Sequence, residues 1–322
     1  MKVNIITPST GGPYTWGKNL TEVLNTQKTI KSVSADHICN LKFSNLLIRS
    51  GYENADVIHT TTKHCILCKK PVILTIKGDY KIEQSFLKSN YILYELARKR
   101  ADIITVPSQY LKERLCLDDA IVIPNAIQVH DYPEIEHQPK NELNIVTMTN
   151  LNFKEKADGI IDLLELICVI CRSTSERINF TVIGGGKYFE RVKESHHHHR
   201  VQENLTVNFS GFIPDPKPLL LKSDIFIYCS YLDNFPNVIL EAMAVGLPVI
   251  TNRIGAVDEM IRSGHDGFVV NDCEDYTNIL QNLMQDHTLR EAVGGSARLK
   301  VKKMFSWDKV VEEYVTLYRS LY

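Results

Sequence analysis

Residues Asp233–Val270 read DNFPNVILEAMAVGLPVITNRIGAVDEMIRSGHDGFVV, and this stretch decides what the chain folds into. Pro236 suits the first position of a helix, Gly246 suits its C-terminal stop, and Pro248 forbids continuation. In the VILEAMAV run between them only Glu241 is not apolar. A helix of that composition is buried on all sides, and one carboxylate inside it is costly unless a ligand or a charged side chain meets it. The unsatisfied N–H groups of its first turn, beside Asn234, mark a seat for an anion such as a phosphate.

An acidic residue, Asp233, is followed after seven residues by Glu241 within FPNVILEAMA; then come GLPVI, a glycine, an acidic residue and a G-x-x-G at Gly264–Gly267. This order resembles the signature of the family-4 retaining glycosyltransferases of the GT-B fold. The resemblance implies an α/β protein of two Rossmann-like parallel-sheet domains facing a cleft, with the nucleotide-sugar donor mainly on the C-terminal domain and the acceptor mainly on the N-terminal one. It also implies roles. Asp233, where the family usually has Glu, orients the transferred sugar; the turn of Phe235, Pro236 and Asn237 holds the diphosphate, through the N–H groups of Phe235 and Asn237; Glu241 binds the ribose hydroxyls.

Composition agrees with two domains. At 322 residues the chain exceeds the length at which one core usually keeps growing. Its 44% hydrophobic and 23% charged residues are those of an ordinary soluble protein. Apolar runs are short and MKVNIITPST lacks the marks of a signal peptide, so the expectation is a cytoplasmic protein. A net charge of −1 argues against nucleic acid as a partner. The charge is uneven: residues 60–115 carry 11 Lys/Arg against 5 Asp/Glu. There Ile82, Phe86, Leu93 and Leu96 recur at near-helical spacing among Lys81, Lys88, Arg98, Lys99 and Arg100. Such a helix either packs on a core with a solvated face, or meets an anionic surface: a phosphorylated acceptor, or the inner face of the cell membrane, which it would touch peripherally. Eight cysteines without a secretion signal read as reduced thiols. Cys65/Cys68 and Cys168/Cys171 have the gap of zinc ligands, but the second pair is also one turn of an apolar helix, and buried free thiols are the plainer reading of both.

Taken in order, Val3–Thr7 is a short apolar strand running into PSTGGPYTWGKNL. Gly11 and Gly12 allow a ligand to close on the main chain, and the loop resembles the family's N-terminal glycine loop, which faces the donor phosphates. Tyr14 and Trp16 either line an acceptor surface or pack. Strands at 56–59, 72–76, 102–106 and 121–123 alternate with helical stretches, which argues a parallel sheet. PVILTIKGDY resembles the family strand that ends in His beside the transferred sugar; Lys77 stands in its place here. The polar, proline-bearing stretch 131–143 reads as an interdomain linker between an N-terminal domain, 1–130, and a nucleotide-sugar-binding domain, 144–305; residues 306–322 resemble the terminal helix that crosses back.

In TNLNFKEKADGI, Lys156 matches the family lysine that holds the diphosphate, while Asn150 replaces the partner Arg, leaving Lys154 or another cation to supply the second charge. A cation 4 Å from such a charge gains about 4 kcal/mol before desolvation is subtracted. A lysine at a helix start opposes the dipole, which itself suggests an anionic partner. FTVIGGGKYFERV resembles the glycine turn under the nucleotide, centred on Gly185, and the loop at Phe212 and Ile213 resembles the one that touches the base. The His196–His199 run reads as a solvated loop.

Together these imply a metal-independent retaining hexosyltransferase that carries a sugar from a nucleoside diphosphate, UDP by family frequency, to a glycan or lipid-linked acceptor in polysaccharide biosynthesis. No cofactor is expected beyond the nucleotide sugar as co-substrate. Asp233, Lys156 and Lys77 would serve the chemistry. The rival reading is a noncatalytic nucleotide-sugar-binding subunit, suggested by the departures at Lys77, Asn150 and Asp233; a sugar-nucleotide epimerase would need an acid-base pair that the sequence does not show.

Overall fold

The computed structural model describes residues 1–9, 11–27, 30, 32–39, 54–80, 88–135, 142–197 and 202–322. They form two compact units, Met1–Gln128 with Phe305–Tyr322, and Val129–Met304.

The first unit is built on a parallel sheet of β1 (Lys2–Ile6), β2 (Ser34–Ile38), β3 (Val57–Thr60), β4 (Val72–Thr75), β5 (Ile103–Val106) and β6 (Ile121–Val122), in the order β2-β1-β3-β4-β5-β6. Successive side chains enter opposite cores, as a period of two requires. Val57 and Ile73 join one core with Trp16 and Leu20 of α1 (Gly11–Thr26), whereas Ile58, Val72 and Leu74 join another with Leu111 of α3 (Gln109–Leu115). Covering both faces is what makes these strands continuously apolar. Between those helices in sequence, α2 (Lys88–Arg100) includes Leu93 and Leu96 of the basic stretch; Lys81, Ile82 and Phe86 lie outside the described residues. The terminal helix, Trp307–Ser320, lays Trp307, Val311, Tyr314 and Tyr318 on the Trp16 core.

In the second unit β7 (Glu142–Met148), β8 (Arg177–Ile183), β9 (Leu205–Gly211), β10 (Ile225–Tyr228), β11 (Val249–Asn252) and β12 (Phe268–Val270) form a parallel sheet in the order β12-β11-β10-β7-β8-β9. Five helices that matter below are α4 (Lys154–Arg172), α5 (Phe189–His197), α6 (Lys217–Leu220), α7 (Asn237–Val245) and, after a short α8 (Val257–Met260), α9 (Cys273–Gln285); α10 (His287–Met304) closes the unit.

Several expectations shift. Pro236 caps α7 in an extended conformation and the helix begins at Asn237, one residue later than a proline at the first helical position would give. Gly246 ends it in the left-handed region at φ 90°, as a helix stop does. Strand β7 already includes Glu142 and Leu143. Tyr132–Ile135 are held by the second unit, through Ile135 N to Val245 O at 3.0 Å and Arg298 to Tyr132 O at 2.7 Å; residues 136–141 lie outside the described ones. Trp16 is a packing residue, 5% exposed. His196 and His197 end α5 rather than occupying a loop; His198 and His199 are outside the described residues. Cys65 and Cys68 are buried in the first unit and Cys168 and Cys171 in the second. Among the described residues no group of three His, Cys, Asp or Glu side chains could hold a metal ion, and no helix is long and apolar enough to cross a membrane.

Candidate functional site

Strands β7 and β10 are neighbours in the second sheet, yet β8 leads away from β7 on one side and β11 away from β10 on the other. Where strand order reverses, the loops leaving the two strands diverge and open a crevice at their carboxyl ends, the usual ligand position in such sheets. Lys156 enters from one side of the reversal, in the first turn of α4, and Asp233 from the other, in the loop after β10. Lys156 Nζ donates to Asp233 Oδ2 at 2.7 Å, with side chains 16% and 15% exposed.

The same carboxylate oxygen accepts from the Tyr228 hydroxyl at the end of β10. Tyr228 is wholly inside, and burial together with the Asp233 charge pushes its phenol far above the usual range, so it remains a donor. Asp233 is therefore oriented from two directions. Backbone packing sets the spacing. A Cβ on Gly159, one turn beyond Lys156, would stand 2.2 Å from Cys229 O, so only glycine lets α4 lie this close to the end of β10. On the other side Gly255, at φ +56°, sits where a Cβ would meet Asp233 O at 2.6 Å, and Ala256 N bonds Asn234 O at 2.8 Å.

Glu241 lies in α7, facing the side chains of Tyr132, Asp215 and Lys217. It retains some contact with solvent, but burial is the largest influence and pushes its carboxyl up to about 7; Lys217 pulls it down and Asp215 raises it further. Lys217 also reaches Asp215 at 3.6 Å and the face of Tyr132 at 5.5 Å. Among the described residues none donates a hydrogen bond to the Glu241 carboxyl. Phe235 and Pro236 are buried beside the start of α7, and Pro236 supplies no side-chain cap to the helix.

Other candidates are engaged locally. Lys154 is 63% exposed and reaches Asp158 at 3.6 Å, and Asn150 Oδ1 accepts from Asn152 N at 2.9 Å, so neither joins the contact between Lys156 and Asp233. A Cβ on Gly185 would approach Phe212 N to 3.0 Å; the glycine turn is seated on the loop that carries exposed Phe212 and half-buried Ile213. In the first unit a Cβ on Gly12 would meet nothing within 4 Å. Lys77, after β4, donates to Asn125 Oδ1 at 2.7 Å and lies 4.3 Å from the Trp16 ring, and burial holds its ammonium well below the usual lysine range. Beneath it His59 is bonded at both ring nitrogens, to Tyr318 and Thr75, and burial lowers it to about 3.

Tyr228, Gly159, Gly255 and Lys217 were not legible as site residues. Tyr228 offered one signal: a tyrosine inside an apolar strand needs a partner for its hydroxyl.

The family described as Glycosyl transferases group 1 matches residues 130–300. The chain is 23% identical over 201 residues to the phosphatidylinositol N-acetylglucosaminyltransferase gpi3 subunit of Schizosaccharomyces pombe, covering 62% of this chain and 43% of that protein, so it spans less than half that relative's length. It is 26% identical over 300 residues to the capsular polysaccharide biosynthesis glycosyltransferase CapM of Staphylococcus aureus, covering 85% of this chain and 76% of that one. In fold it is similar to Anabaena Alr3699/HepE, solved in complex with UDP-glucose, with a TM-score of 0.79 at 16% identity over 99% of this chain and 100% of that one. Its two Rossmann-like units are those of the GT-B architecture.

Proposed function

We propose, from the premise that the chain belongs to the group 1 glycosyl transferases, that it moves a sugar from a nucleoside diphosphate to a glycan or lipid-linked acceptor with retention of configuration. The contact between Lys156 and Asp233 across the strand reversal carries this reading. Breaking the bond from the sugar to phosphate leaves negative charge on the diphosphate and positive character on the sugar, so a cation and a carboxylate held together serve the two developing charges. Lys156 turns to the departing diphosphate, with the start of α7 at Phe235–Asn237 beside it, and Gly12 lets the main chain close on the phosphates. Asp233, held by Tyr228, orients the sugar. Glu241 receives the ribose hydroxyls, and the loop at Gly185, Phe212 and Ile213 takes the base. Lys77 serves the transferred sugar from the first unit.

UDP is the preferred nucleotide; HepE, a structure of the same fold, was solved with UDP-glucose. The reaction takes place on the cytoplasmic side, with exposed Ile92 and Leu96 beside Lys99 of α2 meeting the inner face of the membrane where the acceptor is lipid-linked. The test incubates the purified chain and a lipid or glycan acceptor extract with UDP-, GDP- and ADP-sugars, following nucleotide release and the anomeric configuration of the product by NMR. An inverted product refutes retention.

A nucleotide-sugar-binding subunit without transfer is the second reading, because Asn150 and Lys154 are both engaged away from Asp233. Nucleotide-sugar binding with no release for any donor would establish it.

A further inference from the structure

The second unit holds a cavity of about 540 Å³ between the middle of α4, the carboxyl ends of β10, β11 and β12, and the first turn of α9. Lys156, Asp233 and Glu241 do not line it. Its volume is that of a small-molecule site.

The wall's charge sorts the ligands. Asp162 and Asp272 contribute carboxylates, against a single guanidinium, Arg253, which is already bonded to Asp258 and to Asn271. A phosphate or carboxylate ligand would meet two negative groups and an engaged cation. Asp162 accepts from the Tyr231 hydroxyl through one oxygen, and Asp272 accepts from Asp275 N at 2.9 Å through one oxygen. Each carboxylate keeps a second oxygen that takes no hydrogen bond from the described residues, so the wall seeks donors. Beside the polar Ser230, Asn252 and Asn271, the wall is apolar at Leu163, Val270 and the ring of Tyr276, and Tyr231 is 55% exposed.

Hydroxyl donors at an edge and C–H groups on a face are the properties of a pyranose, whose apolar face lies against an aromatic ring while its hydroxyls reach carboxylates. We propose that this cavity binds one neutral sugar residue of a glycan, apart from the donor site. Its floor is stiff, because Asn252 bonds both the N–H and the carbonyl of Ser230 at 3.1 and 2.8 Å. The site gives the chain a hold on a glycan that needs neither nucleotide nor turnover, so its test is independent of the transfer reaction.

Two exposed thiols make the experiment. Cys273 lines the cavity, and Cys116, in the first unit, does not. The full chain is alkylated with iodoacetamide in the presence of glucose, galactose, N-acetylglucosamine or rhamnose, and each thiol is followed by peptide mass spectrometry. At a sugar concentration about ten times Kd, about one site in ten stays empty, so Cys273 alkylation slows about tenfold while Cys116 is unchanged. Tyr231→Ala and Asp162→Ala are expected to abolish that protection with the melting temperature retained. The proposal is overturned if no sugar in the panel slows Cys273, if Cys116 is slowed equally, or if inorganic phosphate or UDP protects Cys273 as well as the neutral sugars do.

Discussion

Glu241→Gln should make the protein more stable at alkaline pH while weakening its hold on a sugar nucleotide. The native carboxyl titrates at about 7 against 4.5 for the ordinary group, so between those values the folded chain holds a proton that the unfolded chain has lost. Its contribution is therefore fully present below pH 4.5 and disappears as pH rises through 7. Integrated, the ionised side chain costs about 3 kcal/mol at pH 8 but only about 1 kcal/mol at pH 5. Glutamine keeps the shape and never ionises. The stability gap between variant and wild type should thus grow by about 2–3 kcal/mol from pH 5 to pH 8, or about 5–10 °C in the melting transition of a unit this size. Melting curves for both proteins across that range measure it.

Binding should run the other way. Ribose hydroxyls donate to the ionised carboxylate, about one tenth of which is present at pH 6 and about nine tenths at pH 8. Affinity for a sugar nucleotide, whose phosphates do not titrate in this range, should rise about tenfold over those two units in the wild type and stay flat in the glutamine variant. Parallel stability profiles for the two proteins would refute the burial argument. A wild-type affinity that ignores pH would remove Glu241 from the ribose site.

Lys156→Ala should lower kcat/KM by about 10²–10³ with the fold kept, since it removes the cation facing the leaving group; steady-state kinetics with circular dichroism checks it. Tyr228→Phe frees Asp233 from one of its two donors and should cost about 1 kcal/mol of stability together with a fall in kcat, read by melting and turnover. Asp233→Glu, the family's residue, should be tolerated, and complete inactivity in a transfer assay would show that the shorter carboxylate serves another geometry. Gly159→Ala puts a methyl 2.2 Å from Cys229 O and should cost about 1–3 kcal/mol while moving Lys156 off Asp233, seen as a larger loss in nucleotide affinity than in melting temperature.

Most strands of the first sheet were legible because helices cover both faces: residues 72–74 of β4 are a continuous apolar run followed by a glycine-bearing loop. Ser34–Ile38 escaped notice for the opposite reason. It is an edge strand, SADHI, with exposed and half-buried positions, and its pairing with β1 supplies what its composition does not. The α9 and α10 helices lie past the signature stretch, where amphipathic periodicity identifies a helix without saying what it covers.

The chemistry of the candidate site was written in residue type and spacing, whereas its geometry was written in glycines that look ordinary in the sequence. Asp233 and Glu241 stand eight apart because one precedes a helix and the other lies on it, a local relation that spacing can carry. Lys156 is 77 residues from Asp233, and nothing local fixes their separation. What fixes it is how near α4 can approach β10, and that is decided at Gly159, where a single methyl would collide with the Cys229 carbonyl. A backbone contact of this kind depends on the neighbour's main chain, which every residue possesses, so no property of Cys229 announces it. The position of a charged pair is thus set by an uncharged residue one turn away. Moving that residue's atoms by a fraction of an ångström should therefore disturb nucleotide binding before it disturbs the fold.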